Sequence, residues 1–321
     1  MGMRREKIIE RILRTARAPD VLEVLTQRLS QSDLQSLLLE VYRQRARALT
    51  PQHLMQQYEQ NRFVQPAAAD PRQLLEFDRL AYSLLPASFE VLELSPVCPL
   101  GTNSVVTPLD QDNAVTTIRN TEVCSDSTNV LALECARRRR GSSEGRGQPG
   151  VDTKLCASHR LLRPHLPHDP ASFPHFRIFS LCTAGRDRGS YRFEVAALSE
   201  HLEFYVRLLQ NAGQAGFRLE AVQTRITAVD EARYPVLKAE VMDRLSRSFP
   251  EIEFRLDQAP ESSQSYYSGV RFQLYARDQA GTEYFLVDGG FTDWTQQLLS
   301  DRKERLLISG MGSERFVAVF G

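Results

Sequence analysis

The sequence lacks the residue patterns that mark several common kinds of functional site. Its five cysteines are widely spaced and form no C-x-x-C pair, which argues against a zinc cage or a disulfide framework. It contains no Walker lysine loop, no dinucleotide-binding glycine fingerprint and no nucleophile elbow. No stretch approaches the roughly 20 apolar residues that a membrane-spanning helix needs. We therefore expect a soluble, cytoplasmic protein with reduced thiols and no membrane partner.

An excess of charge of one sign is also missing, because 40 lysines and arginines balance 40 acidic residues. The overall charge therefore indicates neither a nucleic-acid partner nor an anionic membrane. Hydrophobic residues make up 42% of the 321 residues, which is enough to fill a sizeable core. The length suits one large domain or two modest ones.

Local patterns divide the chain into a helical N-terminal domain, residues 1–65, and a larger core, residues 66–321. In the N-terminal domain, Ser32 followed by Gln35 predicts a capping box, and Thr50-Pro51 predicts a helix start. The simplest interpretation of this domain is a packing or dimerisation appendage, because amphipathic helices usually bury their apolar stripe.

The core shows the pattern of an α+β fold. One helix is predicted to begin at Asp70-Pro71 and another to span Ser199–Gln210. The predicted strands are Phe89–Leu94, Phe176–Leu181, Val270–Tyr275 and Tyr284–Val287. Their alternating residues indicate an antiparallel sheet, flanked by helices and open to a ligand on one face.

Residues 137–150 begin with four adjacent arginines and contain no apolar residue. We expect a mobile, exposed loop there. Two interpretations of the arginines stay open. They could contact the phosphates of a nucleic acid, or they could form the solvated end of a helix.

Three segments follow one another near the end of the chain: Tyr266-Tyr267-Ser268-Gly269, Asp288-Gly289-Gly290 and Gly312-Ser313-Glu314-Arg315. In this order they resemble the C-terminal half of a class II aminoacyl-tRNA synthetase catalytic core, most closely that of histidyl-tRNA synthetase. The helix and strand that end at Pro96 resemble the first motif of the family, which builds its dimer interface. The resemblance therefore implies a class II core and a homodimer formed through residues 72–96.

The resemblance also implies a site for ATP, Mg²⁺ and an amino acid. Arg186 takes the place of the motif-two arginine that binds the α-phosphate of ATP, and Arg188–Phe193 resembles the turn and return strand that follow it. Arg315 takes the place of the motif-three arginine that binds the γ-phosphate. Both would stabilise phosphate charge through the forked donors of a guanidinium group.

The same resemblance assigns six substrate-binding residues: Glu122, Thr121, Tyr266, Tyr267, Gly289 and Gly290. The first two take the place of residues that bind the ammonium group of the amino acid, and the two tyrosines would line its pocket. Adjacent residues of a strand point to opposite faces, so at most one of the tyrosines faces a shared ligand. The glycines would allow the backbone to approach the ligand closely.

Several departures from the family pattern predict that catalysis has decayed. Ser262–Ser265 stands where the family has Arg-Gly-Leu-Asp, so the arginine that engages the substrate carboxylate is missing. Arg188 stands where motif two has a glutamate, and the sequence has no room for an anticodon-binding domain after Arg315. We expect a ligand-binding or partner-binding regulatory paralogue, of which the regulatory subunit of ATP phosphoribosyltransferase is an example. The alternative is an adenylate-forming enzyme that activates an amino acid for an acceptor other than whole tRNA.

Metal binding by the protein's own side chains is not predicted. His165 and His168 have a spacing that could suit a metal, but the prolines around them argue against a helix that would place both on one face. Glu283 and Asp288 are carboxylates that could hold Mg²⁺ by resemblance, although any surface strand carries such residues.

Overall fold

The computed structural model describes residues 2–107, 109–143, 151–164, 174–228, 231–258 and 267–321. The chain divides into two compact units. The first unit is Met1–Asn61 with Thr116–Thr121, and the second is Arg62–Val115 with Glu122–Gly321. None of the helices in the described ranges has the length and apolar content that a bilayer crossing requires.

The first unit is helical, as predicted. Its helices are α1 (Gly2–Ala16), α2 (Val21–Glu23), α3 (Gln31–Arg47) and α4 (Pro51–Gln60). Thr50 caps α4 as expected, because its Oγ1 accepts a hydrogen bond from the backbone N–H of His53 at 3.2 Å. The capping box predicted at Ser32 is wrong. Ser30 is the cap of α3, since its backbone is extended and its Oγ accepts from the N–H of Asp33 at 3.2 Å.

The second unit is built on a large sheet. The ten strands of the described residues are β1 (Glu90–Val91), β2 (Val97–Pro99), β3 (Thr121–Val123), β4 (Thr153–Leu162), β5 (His175–Arg186), β6 (Ala221–Ala228), β7 (Glu253–Gln258), β8 (Val270–Arg277), β9 (Glu283–Thr292) and β10 (Glu304–Met311). Eight of them form one sheet in the order β1-β4-β5-β10-β9-β8-β6-β7, and β2 pairs with β3. Neighbours in the large sheet are antiparallel except β1–β4 and β6–β7. The predicted antiparallel α+β fold is confirmed.

Helices cover both faces of this sheet. They are α5 (Pro71–Leu84), α6 (Ser127–Ser143), α7 (Arg192–Gln210), α8 (Tyr234–Val236), α9 (Asp243–Ser248), α10 (Trp294–Leu299) and α11 (Ser313–Phe320). On one face, α5, α7 and α11 pack against a core that includes Phe77, Phe179 and Phe272. On the other, α6 and α10 pack against a second core that includes Cys182 and Ile308. We call these the α7 face and the α6 face.

The arginine-rich segment is the largest local difference from the sequence prediction. Helix α6 continues to Ser143, so residues 137–143 are helical and not a loop, while residues 144–150 lie outside the described ranges. The helix continues because Glu134 accepts hydrogen bonds from Arg137 and Arg138, three and four residues later. Hydrogen bonding from Arg137 lowers the pKa of Glu134 to about 2.

Candidate functional site

The two arginines predicted to bind phosphates lie near opposite ends of β10. Arg186 is the last residue of β5 and pairs with Glu304, the first residue of β10. Arg315 lies in the first turn of α11, beyond Met311, the last residue of β10. At about 3.3 Å per residue, the strand separates its two ends by roughly 23 Å. The prediction that Arg186 and Arg315 border one phosphate pocket is therefore wrong.

The guanidinium group of Arg186 is already engaged by carboxylates. Its Nη1 lies 2.9 Å from Asp301 Oδ2 and 3.8 Å from Glu304 Oε1. Half of the side chain is exposed, whereas Glu304 is buried. A phosphate would have to compete with both acids, so a phosphate-binding role for Arg186 stays a prediction without support from its surroundings.

The strand pair expected at motif two lies elsewhere in the chain. The residues after Arg186 do not return as a strand, because Ser190 and Tyr191 have positive φ values of 52° and 56° and α7 begins at Arg192. The strand that forms a hairpin with β5 is β4, which precedes it, and the other neighbour of β5 is β10. The return strand predicted for Arg188–Phe193 is therefore wrong, and the long hairpin is β4–β5.

The arginines of this hairpin hold helices in place. Arg160 and Arg177 lie opposite each other on β4 and β5. Arg177 Nη1 is 3.2 Å from Asp78 Oδ2 on α5, and Arg160 Nη2 is 3.1 Å from Glu314 Oε2 on α11. Burial raises the pKa of Asp78, and the hydrogen bond from Ser158 and the charge of Arg177 oppose that rise. These ion pairs join the hairpin to α5 and α11 on the α7 face, and the sequence did not indicate them.

Arg315 contrasts with the other arginines of this region. Its side chain is exposed and makes no hydrogen bond or ion pair with any residue that the structure describes. The preceding Glu314 is buried and accepts a hydrogen bond from the backbone N–H of Arg177 at 3.0 Å. Arg315 is therefore available to an anion.

Glu122 is fully buried and saturated with donors. Its Oε1 accepts from the backbone N–H and the side-chain amide of Asn103, at 2.8 and 2.6 Å. Its Oε2 accepts from the N–H of Gly101 at 3.0 Å and from Gln111 Nε2 at 2.6 Å. Four N–H donors satisfy a carboxylate without a ligand. The structure thus gives Glu122 the role of holding this loop, and its ammonium-binding role stays a prediction.

The remaining predicted residues fall in different places. Thr121 Oγ1 lies 2.7 Å from Thr117 Oγ1, within the first unit. Tyr266 lies outside the described residues. A Cβ at Gly290 would lie 2.5 Å from Cδ1 of Tyr267, and one at Gly289 would lie 2.5 Å from Cε1 of Phe272. Both glycines therefore make room for aromatic rings, which accounts for them without a ligand.

Part of the α6 face is open to solvent. Ser180, Gly310, Asp288 and Gln273 lie side by side across β5, β10, β9 and β8. We call the half-buried members of this region the open-face patch: Ile178, Gly310, Asp288, Gln273 and Arg271. One half of the patch is small or apolar and the other half is polar.

The polar half is organised around Asp288. The hydroxyl of Tyr267 donates to Asp288 Oδ2 at 2.9 Å, and Arg271 Nε donates to Oδ1 at 2.9 Å. Burial raises the pKa of Asp288, although the hydrogen bonds from Arg271 and Tyr267 act in the opposite direction. The charge of Asp126 at the start of α6 also raises this pKa, so the two carboxylates interact. Each carboxylate already has an arginine beside it, Arg271 for Asp288 and Arg163, at 3.3 Å, for Asp126.

Metal ligation finds no support in this region. The described residues contain no group of three side chains that could hold a metal ion. Glu283 and Asp288 are five residues apart on β9, or roughly 16 Å, so they cannot bind one ion together. Each is paired with an arginine, Arg277 and Arg271 respectively. His165 and His168 lie outside the described residues.

Comparison with known proteins decides the fold. No family model and no curated protein matches the sequence. An ATP phosphoribosyltransferase regulatory subunit/histidyl-tRNA synthetase from Bacillus halodurans superposes with a TM-score of 0.56 at 13% identity, over 80% of this chain and 83% of that chain. The chain has the fold of a class II aminoacyl-tRNA synthetase core.

Two further solved structures give the same result. A histidine–tRNA ligase subunit from Alicyclobacillus acidocaldarius has a TM-score of 0.54 at 13% identity, over 80% of this chain and 95% of that chain. The histidyl-tRNA synthetase of S. aureus has a TM-score of 0.52 at 15% identity, over 77% of this chain and 64% of that chain. The resemblance that the terminal segments suggested is confirmed for the fold.

Proposed function

We propose that this chain is a non-catalytic paralogue with a class II synthetase core. It binds a ligand or a protein partner and has a regulatory role. It is not a standard tRNA synthetase and does not form adenylates. One observation carries the proposal: the two arginines of the β4–β5 hairpin, beside α11, are held in ion pairs with Glu314 and Asp78. Adenylate formation needs positive groups fixed together around one triphosphate.

The other charges of the fold support this conclusion. The guanidinium groups of Arg160, Arg177 and Arg186 all have carboxylate partners. Rearranging them around a nucleotide would leave Glu314 and Asp78, both buried, without their arginine partners. The site for ATP chemistry is therefore not preorganised.

The open-face patch suggests what a small ligand would look like. The half-buried Asp288 and Asp126 would hold a positively charged amine in exchange for their arginine partners, while Ile178 and Gly310 favour an apolar portion. We propose a small amine, such as an amino acid, as the ligand of this patch. Exchanging Asp288→Asn should abolish such binding, which isothermal titration with a panel of amino acids would measure.

A regulatory role is supported by one structural neighbour, the Bacillus halodurans protein described as an ATP phosphoribosyltransferase regulatory subunit/histidyl-tRNA synthetase. From this neighbour we propose only that the chain binds a protein partner. The homodimer through residues 72–96 and the cytoplasmic location stay predictions, and the binding of ATP and Mg²⁺ belongs to the adenylate-forming alternative.

Thermal unfolding with and without ATP and Mg²⁺ tests the proposal. A ligand at 100 times its Kd stabilises the folded state by about 2.7 kcal/mol, which a Tm shift would reveal. We expect no shift in the wild type and no amino-acid-dependent exchange between ATP and pyrophosphate. A Tm shift that Arg315→Ala removes and Arg207→Ala, an exposed arginine on α7, retains would reveal a nucleotide site, and amino-acid-dependent pyrophosphate exchange would refute the proposal. Pyrophosphate exchange in addition would favour the adenylate-forming alternative, for which the exposure of Arg315 is the supporting observation.

A further inference from the structure

Helix α1 carries a row of basic side chains. The helix contains five basic residues and two acidic ones. Four of the basic residues recur every three or four positions, so their side chains lie along one side of the helix. We call them the cation stripe: Arg4, Lys7, Arg11 and Arg14. All four are exposed, and their side chains make no hydrogen bond or ion pair with any residue that the structure describes. The stripe is therefore open to an anionic partner.

An exposed apolar strip, Ile8 and Ile12, runs beside the cation stripe. Ile8 is 44% exposed and Ile12 is 47% exposed, and the two lie about one turn apart. Arg4 and Arg11, four residues before Ile8 and three after it, are its neighbours on the helix surface. The two acidic residues each lie two positions from Ile8, which places them on the far side of the helix. One face of α1 is therefore both apolar and basic.

The packing of the first unit leaves this face uncovered. Among the described residues of the unit, no side chain is buried. Ile9 and Leu13, on the other edge of the apolar face of α1, are half-buried. The helix therefore packs through one edge of its apolar face and leaves the edge beside the cations exposed.

We propose that α1 lies on an anionic lipid surface, with the apolar strip at the headgroup boundary and the cation stripe against the lipid phosphates. Helices that have an apolar face beside lysines and arginines lie in the membrane interface in this way. Each cation near an anionic membrane adds to the attraction, and the long basic side chains can reach the headgroups while the isoleucines are buried.

The composition of the face favours lipid over other anionic partners. A protein groove that binds an amphipathic helix takes several apolar anchors, at spacings such as i, i+4 and i+7. The apolar strip supplies two, so the cations must provide most of the attraction, as they do at an anionic membrane. A nucleic acid would satisfy the cations and leave the isoleucines in water.

The proposed contact is with the membrane surface and needs no spanning segment. It replaces the expectation of no membrane partner, which rested on the absence of such a segment and on the charge of the whole chain. That charge is balanced, whereas α1 has an excess of basic residues. The contact does not depend on the proposed function.

Co-sedimentation of the full chain with lipid vesicles tests the proposal. We expect binding to vesicles made of equal parts of phosphatidylcholine and phosphatidylglycerol, and little binding to pure phosphatidylcholine. Added salt should weaken the binding, because it screens the exposed charges. No binding to the anionic vesicles, or equal binding to both kinds, would overturn the proposal.

Variants of α1 locate the contact. Arg4→Gln with Arg11→Gln should weaken binding about thirtyfold, since each cation near an anionic surface contributes about fivefold. Glu10→Gln, on the far side of the helix, is the matched control and should bind at least as well as the wild type. Ile8→Ala with Ile12→Ala should weaken binding about tenfold, because less apolar surface leaves water. Glutamine and alanine both favour helices. Unchanged binding by either double variant would overturn the proposal.

Poly-L-glutamate distinguishes a lipid surface from an acidic protein, because it offers negative charge without an apolar phase. Binding to poly-L-glutamate but not to the anionic vesicles would assign the cation stripe to an acidic protein and overturn the proposal. Circular dichroism checks that the variants keep the helix content of the wild type. If a variant loses helix content, the lipid and salt dependence of the wild type decides.

Discussion

Breaking the ion pair between Arg139 and Glu304 by removing one partner should be among the most destabilising single changes in the second unit. Arg139 Nη2 donates to Glu304 Oε1 at 2.9 Å, and Arg139 Nε donates to the other carboxylate oxygen. Only 11% of the Arg139 side chain and 4% of the Glu304 side chain are exposed. The pair joins α6 to β10, two elements that are far apart in sequence.

Replacing Arg139 by methionine should leave Glu304 buried with one distant cation, Arg186, at 3.8 Å. Breaking a buried ion pair by removing one partner costs about 3–5 kcal/mol, and Arg186 places the expected cost near the lower end. For an m-value of about 3 kcal/mol/M, a loss of about 3 kcal/mol moves the urea midpoint down by about 1 M.

Urea unfolding followed by fluorescence measures this effect, because the chain has one tryptophan and Trp294 is buried in the core of the α6 face. Arg137→Met is the matched control. Arg137 pairs with Glu134 on the same helix but is 73% exposed, so its loss should cost less than about 1 kcal/mol. The double variant Arg139→Met with Glu304→Met should recover much of the loss, since it removes both charges. Equal midpoints for Arg139→Met and Arg137→Met would refute the reasoning.

Two further predictions concern packing and pH. Gly290→Ala should destabilise the protein by about 1–3 kcal/mol, because its Cβ would lie 2.7 Å from the backbone oxygen of Val270. Gly213 has open space around it, so Gly213→Ala should leave the urea midpoint unchanged. Burial lowers the pKa of His201 to about 3, so the unfolded chain binds one more proton there once the pH falls below about 6.5. As the pH falls from 6 to 4, this residue should lower the free energy of unfolding by up to about 1.4 kcal/mol per pH unit. His201→Gln should show a shallower dependence of the free energy of unfolding on pH, and equal dependences for the two proteins would contradict the low pKa of His201.

Features set by neighbouring residues were predictable from the sequence. Thr50 and Asp70 each cap the helix that follows, because a cap depends only on the next few residues. The strands within β5, β8 and β9 followed from alternating residues. The sequence analysis did not predict that the four arginines are helical. The spacing of Glu134 to Arg137 and Arg138 is nevertheless a local signal that favours a helix.

Features set by strand pairing were not predictable in this way. The segment Phe176–Leu181 was correctly predicted as a strand, but nothing local shows that its hairpin partner is β4 and not the residues after Arg186. The motif-two assignment therefore fell at the wrong end of β5. The pairing of Arg177 with Asp78 and that of Arg139 with Glu304 depend on the same long-range register.

The register of β5 against β10 is the claim on which the rejected motif-two assignment and the placement of the paired arginines both rest, and a spin-label distance between Arg186 and Arg315 measures it directly. Nitroxide labels on Arg186→Cys and Arg315→Cys can be placed selectively, because the native cysteines are buried. From the roughly 23 Å length of the intervening strand, we expect a single distance distribution centred above about 20 Å. A distribution centred below about 15 Å, with both labels beside one pocket, would contradict the account.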